Sequence, residues 1–363
     1  MKFTILLLIA FDLLFSSYLS NKSCKECHKT IYEEYQYSYH SKGYFKDMLH
    51  KKIADKISLK KYDCAVCHMP AADNLKSLVK GEKRPDKTNV TNSDAISCFF
   101  CHTIAYVKKA HKFNLNIKAR QSEDYKPSLF GSLENPDDNN KHSSLHSPIY
   151  DKFVCSGCHS HKRNGNDLLI FDSKMSGSKE CIKCHMPLVP GGNENMNKRA
   201  RTKHHSHYFP GIHSKEMREK AIDLKVAIDK KSGVVVTLIN KMPHPLILQA
   251  AREMFLKVEI ERDGKKIWSN SKDKSAVFKY SYLKGDKPII IPYSATSYSF
   301  VNNLKPKEKK IFNYKIDKLH KGDKVIISFY MIFAKTECLK DIDYMESGLD
   351  KPILVKKIVK MVK

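Results

Sequence analysis

The hydrophobic pattern of the chain changes near residue 222. Beyond it, apolar residues recur in short runs with the two-residue period of β-strands and without a helical period. These runs are 224–228, 234–239, 255–260, 265–268, 276–283, 288–292, 297–301, 310–316 and 325–333. Between two of them, Asp263-Gly264 is typical of a hairpin turn. The spacing predicts an antiparallel β-sandwich over 223–363.

The Lys-rich tail, 353–362, has two interpretations. Its basic and apolar residues suit a helix lying on a membrane surface. Its Val and Ile residues favour a strand that closes the sandwich, and this is the prediction we make.

Residues 21–222 show a different pattern, with short apolar groups separated by polar stretches. Ile31, Tyr35 and Tyr39 follow a helical spacing, and Ser23 is the expected N-cap of that helix. Residues 72–97 and 119–141 are rich in Asn, Asp, Lys and Pro, which predicts loops. The fold class expected is therefore α+β with two domains, a helical and irregular domain followed by the β-sandwich.

Residues 1–20 resemble an export signal, because Lys2 is followed by an apolar run that only Asp12 interrupts. The run ends without a clear cleavage site, so an N-terminal membrane anchor stays open as an alternative. Either way the pattern predicts a periplasmic location.

One five-residue pattern recurs five times in the helical domain: Cys, two residues, Cys, His. We number these motifs 1 to 5, and they span 24–28, 64–68, 98–102, 155–159 and 181–185. Residues i, i+3 and i+4 share one face of a helical turn, so two thiols and one imidazole converge. This is the attachment pattern of haem c, in which the thiols bond covalently and the histidine binds the iron.

The haem-attaching residues predicted are the ten motif cysteines and the five motif histidines. The cysteines are Cys24, Cys27, Cys64, Cys67, Cys98, Cys101, Cys155, Cys158, Cys181 and Cys184, and the proximal ligands are His28, His68, His102, His159 and His185. The prediction is five haem c groups.

Zinc and disulfides explain the cysteines less well. A zinc site takes four ligands from two Cys pairs, which leaves a fifth pair over and requires no histidine after each pair. Disulfides stabilise a fold by closing loops, and cysteines three residues apart, each pair followed by His, serve no such purpose. Cys338 is the one cysteine outside the motifs, and we expect it to be a small buried hydrophobic residue.

Roughly 40 residues per haem are too few to give each cofactor a protein core of its own, so the haems must pack against each other. The formal net charge of +26 falls to about +16 once five haems add about ten propionates. A basic surface favours acidic redox proteins or an anionic membrane surface. No nucleic-acid-binding motif is present.

A six-coordinate haem needs a second axial ligand, and twelve histidines lie outside the motifs. The candidates for this distal position are His40, His111, His142, His146, His207 and His213, with His50 in reserve. His161 is too close in sequence to His159 to reach the far side of the same haem. His204 and His205 lie in a basic stretch and are equally well explained as surface residues. Met69 and Met186 follow proximal histidines directly and are expected to pack against haem edges.

Several further runs resemble one family. They are Tyr35-Gln36-Tyr37-Ser38-Tyr39-His40, the Cys-His-Met-Pro runs at 67–70 and 184–187, Ser147-Pro148, and His207-Tyr208-Phe209-Pro210-Gly211-Ile212-His213. Together they are similar to the periplasmic multihaem cytochromes c related to the tetrahaem electron acceptor of hydroxylamine oxidoreductase. The resemblance implies distal ligands at His40, near His142 and at His207, and an Ig-like C-terminal domain. Met242-Pro243-His244-Pro245 departs from the Gly-His pairing of that domain.

Electron transfer is the function expected, and we regard a carrier as better supported than an enzyme. The partners expected are other redox proteins, such as a quinol dehydrogenase, small cytochromes or a terminal reductase. The alternative is a multihaem reductase of a small nitrogen or sulfur oxo-species at a five-coordinate haem, although no Cys-x-x-Cys-Lys motif is present. A third hypothesis, compatible with both, gives the sandwich a docking role.

Overall fold

The polar and apolar patterning of the chain produces short helices first and antiparallel sheets afterwards. The computed structural model describes residues 18–108, 113–117, 126–174, 179–191, 201–229, 233–317 and 319–363. Most of the predicted export signal, 1–20, therefore lies outside the described residues. His111 also lies outside them. No helix within the described ranges is long and apolar enough to cross a membrane.

The helices are short, and most belong to the first part of the chain. Within the described ranges they are α1 Asn21–Lys25, α2 Lys29–Tyr37, α3 Gly43–Lys46, α4 Met48–Ile57, α5 Ala65–His68, α6 Leu75–Lys80, α7 Val90–Ser93, α8 Cys98–His102, α9 Ile149–Lys152, α10 Ser156–His159, α11 Lys179–His185, α12 Lys215–Ala221 and α13 Thr336–Asp341. Single 3-10 turns occur at Tyr39–Ser41, Lys274–Ala276, Pro292–Ser294 and Met345–Ser347.

Side-chain caps explain where several of these helices begin. Ser20 caps α1 by accepting a hydrogen bond from the Ser23 N–H, so the prediction of Ser23 as N-cap is wrong. Ser214 caps α12, as its position before the helix predicts. The stretch 72–97, predicted as loop, contains α6 and α7, and Asn89 caps α7 through two backbone N–H groups.

The strands lie mostly beyond residue 221. Within the described ranges they are β1 Ile104–Lys108, β2 Phe113–Asn116, β3 Ser128–Gly131, β4 Ser143–His146, β5 His161–Arg163, β6 Leu169–Asp172, β7 Leu188–Pro190, β8 Lys203–His205, β9 Ile222–Asp229, β10 Gly233–Asn240, β11 Glu253–Arg262, β12 Lys265–Ser269, β13 Val277–Lys284, β14 Lys287–Ile289, β15 Ser297–Asn302, β16 Lys309–Tyr314, β17 Lys324–Ile332 and β18 Ile353–Met361.

Strands β1 to β8 form four two-stranded ribbons, of which β3–β4 is parallel. The later strands form two antiparallel sheets. One has the order β16-β10-β9, and the other has the order β14-β13-β11-β17-β18, with β12 paired to β11 and β15 paired to β13.

Alternating side chains of both sheets bury one common core. In β11 the buried residues are Met254, Leu256, Val258 and Ile260, and β10 and β17 contribute to the same cluster in the same alternating way. Each fully buried aliphatic side chain stabilises the fold by about 1.5–3 kcal/mol relative to exposure. The antiparallel β-structure predicted for the C-terminal part is confirmed, while its classification as Ig-like stays a prediction.

The tail forms β18, which pairs with β17, so the strand prediction for 353–362 is confirmed. Two of its lysines also join the sheets: Lys356 Nζ donates to Ile222 O at 3.3 Å and Lys360 Nζ to Val226 O at 2.7 Å. At the predicted hairpin turn between β11 and β12, Asp263 and Gly264 both have positive φ, as a tight turn requires.

Helix α4 joins the two parts of the chain. Leu49 and Ile53 pack against a small buried cluster that contains Leu339 of α13, and Lys52 Nζ donates to Asp343 O at 2.7 Å. Buried Cys338, also in α13, is 2% exposed, as predicted for a small hydrophobic residue.

Candidate haem-binding site

Each of the five motifs forms a helical turn. In motifs 1, 2 and 4 the histidine N–H donates to the carbonyl of the first cysteine at 2.9 Å, and α8 and α11 contain motifs 3 and 5. The turn puts both thiols and the imidazole of a motif on one side of the helix, as the spacing predicts.

Motifs 1, 3 and 4 open into one cavity of about 480 Å³. Its lining is largely aromatic and aliphatic, and three histidines from outside the motifs also reach it. The lining residues that carry the argument are Ile31, Tyr32, Tyr35, Ile96, Phe99, Phe100, Leu129, Tyr150, Val154 and Phe209, together with His40, His142 and His207.

Each of these three histidines faces a motif histidine across a similar gap. The ring centroids of His28 and His142 lie 6.2 Å apart, those of His40 and His159 6.0 Å apart, and those of His102 and His207 6.3 Å apart. The planes of the paired rings differ by 30°, 41° and 24°, respectively.

These gaps fit a metal held between two imidazoles. Two metal–imidazole bonds of about 2 Å each place the nitrogen atoms about 4 Å apart and the ring centres about 6 Å apart. Rings in direct contact would be closer. The spacing, the adjacent thiols and the apolar walls together fit haem c at motifs 1, 3 and 4.

Backbone carbonyls orient several of the rings. Nδ1 of His102 lies 2.7 Å from Phe130 O, Nδ1 of His207 lies 2.8 Å from His205 O, and Nδ1 of His185 lies 2.6 Å from Pro210 O. A carbonyl oxygen accepts, so Nδ1 carries the proton and Nε2 keeps its lone pair. This arrangement is typical of histidines that bind metals.

Burial favours the neutral form of several of these imidazoles. Together with smaller contributions from neighbouring imidazoles, it lowers the pKa of His40, His68 and His207 to about 3. Burial also lowers the pKa of His102 and His159. Nδ1 of His40 is buried and has no hydrogen-bond partner among the described residues, so a nitrogen of this ring is left for a ligand. A neutral imidazole with a free lone pair can bind iron at physiological pH.

Motif 2 differs from the other motifs. The His68 ring stacks directly on His50, with centroids 3.8 Å apart and planes 17° apart. His50 also places Nε2 2.9 Å from the Tyr62 hydroxyl. The gap between these rings is too small for an iron, so His50 does not form the kind of pair found at motifs 1, 3 and 4.

Contacts between cysteines show which motifs are neighbours. The thiol of Cys24 contacts that of Cys98, and the thiol of Cys67 contacts that of Cys158. Motif 1 therefore adjoins motif 3, and motif 2 adjoins motif 4.

The remaining candidate ligands have other surroundings. His146 is exposed on β4. His213 lies between two aromatic rings, 3.9 Å from Tyr39 and 4.4 Å from Phe333 between centroids. Of the two methionines, Met69 is fully buried and Met186 lines the cavity.

His204 and His205 also have definite partners. His204 places Nδ1 2.9 Å from Gly191 O and Nε2 3.0 Å from Glu34 Oε2, so both of its nitrogens are engaged. His205 places Nδ1 2.7 Å from Met186 O. Glu34 was not predicted as part of the site, yet its Oε2 also accepts from the His207 N–H at 2.8 Å.

The covalent-attachment motifs, the facing imidazoles and the apolar cavity define a multihaem cytochrome c, and comparisons with known proteins support this class. Residues 23–103 match the model of the family described as cytochrome c554 and c-prime. That match also favours an extracellular or periplasmic location. No curated protein matches the chain.

The structure is similar to that of a penta-heme cytochrome c552 from Thermochromatium tepidum, with a TM-score of 0.73 and 18% sequence identity. The likeness covers 95% of this chain and 99% of that one, and at this identity it shows a shared fold. A β-glucuronidase from Bacteroides uniformis aligns over 39% of this chain and 12% of its own, with 12% identity and a TM-score of 0.17, which is too low to bear on the fold.

Proposed function

We propose that this chain is an exported electron carrier that holds one haem c at each of its five motifs. The observation that carries the proposal is the set of three imidazole pairs with centroids 6.0–6.3 Å apart in one apolar cavity. The penta-heme name of the similar cytochrome c552 supports the count of five.

Haem c supplies reversible one-electron exchange at its iron. The residues of this chain would supply the iron ligands and the apolar surroundings of the haems. His142, His40 and His207, paired with His28, His159 and His102, would hold the irons of three haems, and such sites would leave no position for a substrate. Two imidazole ligands also favour lower reduction potentials than a histidine and a methionine would.

Contact between motifs supports transfer from haem to haem. The thiols of motifs 1 and 3 touch, as do those of motifs 2 and 4, and motifs 1, 3 and 4 share one cavity. Cofactors attached at such positions lie close to one another, and electron exchange requires short distances. The partners we propose are acidic redox proteins of the same compartment, because the chain has a formal net charge of +26.

Two measurements test the proposal. The intact mass of the mature protein should exceed that of the chain by about five haems. Electron paramagnetic resonance of the oxidised protein should show about four low-spin haems with two histidine ligands. A smaller haem count in fully matured protein, or high-spin signals from most of the haems, would contradict it.

Motif 2 favours a second candidate function, that of a reductase. His68 contacts His50 at 3.8 Å in place of a facing imidazole at about 6 Å, which favours a five-coordinate iron at this motif. An open position could take a small nitrogen or sulfur oxo-species, as the reductase alternative requires. If a high-spin signal shifts on adding nitrite or hydroxylamine, and a reduced donor then supports turnover, the protein is a reductase.

A further inference from the structure

The last residues of the predicted export signal make contacts inside the haem-binding part of the fold. The signal is predicted over 1–20, and the structure describes its last three residues, Tyr18, Leu19 and Ser20. A segment that is removed on export has no need of specific contacts with the mature fold. The contacts of these three residues therefore bear on where the signal ends.

Tyr18 contacts motif 3 and a residue just before it. Its hydroxyl donates to Asp94 Oδ2 at 2.8 Å. Its ring meets the ring of Phe99, inside motif 3, edge to face with centroids 5.2 Å apart. One polar and one aromatic contact therefore hold Tyr18 against motif 3.

Leu19 and Ser20 belong to the surroundings of motif 1. Leu19 lines the cavity that motifs 1, 3 and 4 share. Ser20 starts the helix that leads into motif 1, because its Oγ accepts from the Ser23 N–H and its carbonyl accepts from the Cys24 N–H, each at 3.2 Å. If the chain began at Asn21, this helix would lose both its cap and the carbonyl that bonds to Cys24.

Asn21 continues the segment and joins motif 1 to motif 3. Its side chain is buried, with Oδ1 accepting from the Cys98 N–H at 2.9 Å and Nδ2 donating to Asp94 O at 3.1 Å. The Asn21 N–H donates to Asp94 Oδ2 at 2.9 Å, and Tyr18 bonds to the same oxygen. We call residues 18–21 the N-terminal strap, because they run from motif 3 to motif 1 and are bonded at both.

We propose that Tyr18, Leu19 and Ser20 belong to the mature protein, and that the export signal ends at or before Ser17. Ser17 is a small residue, the type that signal processing prefers next to the cleaved bond. The inference rests on the proposed function, since it presupposes export. It gives the strap a part in electron transfer, because the strap fixes the positions of two motifs whose haems would share one cavity.

The first test identifies the N-terminus of the mature protein. Intact mass and sequencing of the N-terminal peptide are measured on whole protein purified after export and haem attachment. We expect the first residue to be Tyr18 or one that precedes it. The rival is a cut after Ser20, which would leave the new ammonium group of Asn21 facing Asp94. A first residue beyond Tyr18 would overturn the inference.

The second test concerns the role of the strap. Tyr18→Phe removes only the hydroxyl that bonds to Asp94, and the control Tyr37→Phe makes the same change at a tyrosine that is 72% exposed. In chemical denaturation of the oxidised proteins, Tyr18→Phe should shift the midpoint to lower denaturant, because the Asp94 carboxylate loses a donor. Tyr37→Phe should leave the midpoint at the wild-type value. Equal midpoints of the two variants would show that the strap does not hold the motifs.

These results are separable from those that test the proposed function. The haem count and the spin states report on electron transfer, and neither measurement depends on which residue comes first. A mature chain that starts beyond Tyr18 but carries five low-spin haems would overturn only the inference. A chain that retains Tyr18 but carries fewer haems would contradict only the proposed function.

Discussion

Glu34 links a buried ion pair to His207, a ligand that we propose for motif 3, so its removal has a calculable effect. One carboxylate oxygen, Oε2, accepts from His204 Nε2 at 3.0 Å and from the His207 N–H at 2.8 Å. The side chains of Glu34 and His204 are 9% and 10% exposed. Both ring nitrogens of His204 therefore lie beside an acceptor, Nδ1 beside Gly191 O and Nε2 beside Glu34 Oε2.

Glu34→Gln removes the charge and keeps an acceptor of similar shape. An exposed ion pair would lose about 0–1 kcal/mol, whereas breaking a fully buried one costs about 3–5 kcal/mol. Because about a tenth of each side chain is exposed, we expect a loss of about 2–3 kcal/mol in the free energy of unfolding. Glu34→Ala should lose more, because the His207 N–H then has no acceptor.

The control is Glu33→Gln, which makes the same change of charge at the exposed neighbouring residue of α2. We expect it to change stability by less than about 0.5 kcal/mol. Chemical denaturation of the oxidised proteins measures the difference. The spectrum reports the second effect, since Glu34→Ala should weaken the placement of His207 and raise the high-spin fraction. Equal stabilities of the Glu34→Gln and Glu33→Gln variants would refute this reasoning.

Three further predictions concern the sheets and the first motif. Arg262 holds Asp323 through two bonds of 2.7 and 2.8 Å and lowers the pKa of Asp323 from 3.8 to about 2. A carboxyl whose pKa is lowered in the folded state stabilises the protein above pH 3.8, so Asp323→Asn should cost about 2 kcal/mol of unfolding free energy at pH 7. Denaturation at falling pH should show the stability difference between wild type and variant vanish near pH 2. Gly233 has φ +98°, and a Cβ there would clash with Tyr314 O, so Gly233→Ala should lose at least about 1–3 kcal/mol of unfolding free energy. Gly264→Ala should lose less, because the space around Gly264 is open. Equal melting temperatures of the two variants would contradict this prediction. His142→Met should raise one reduction potential by an amount on the order of tenths of a volt, and a spectroelectrochemical titration without such a shift would remove His142 from the ligands.

The sheets could be predicted well from the sequence because their signal is local. The run 255–260 lies within β11, the run 325–333 overlaps β17, and the tail forms β18. Alternation of apolar residues reports directly which side chains face a core. The run 288–292 was less informative: β14 ends at Ile289 and a 3-10 turn begins at Pro292. A proline there favours the turn.

The haem motifs were predictable for the same reason, since each is contained in five residues. Which of the candidate distal histidines faces which motif could not be predicted, because this depends on which distant loops meet. His40 lies 119 positions before His159 in the sequence, and no periodicity connects them. His50 was kept in reserve, yet it is the ring in contact with His68.

The place of β18 in the chain has a consequence for biogenesis. This strand follows every other described strand, yet it pairs with β17 in one sheet and bonds through its lysines to β9 in the other. In the N-terminus-first export that we propose for this chain, all five attachment motifs emerge first, while β17 still has a free edge. Covalent loading of the cofactors can therefore begin before the two sheets are joined, and the unpaired edge is a temporary aggregation hazard that only the arrival of β18 removes.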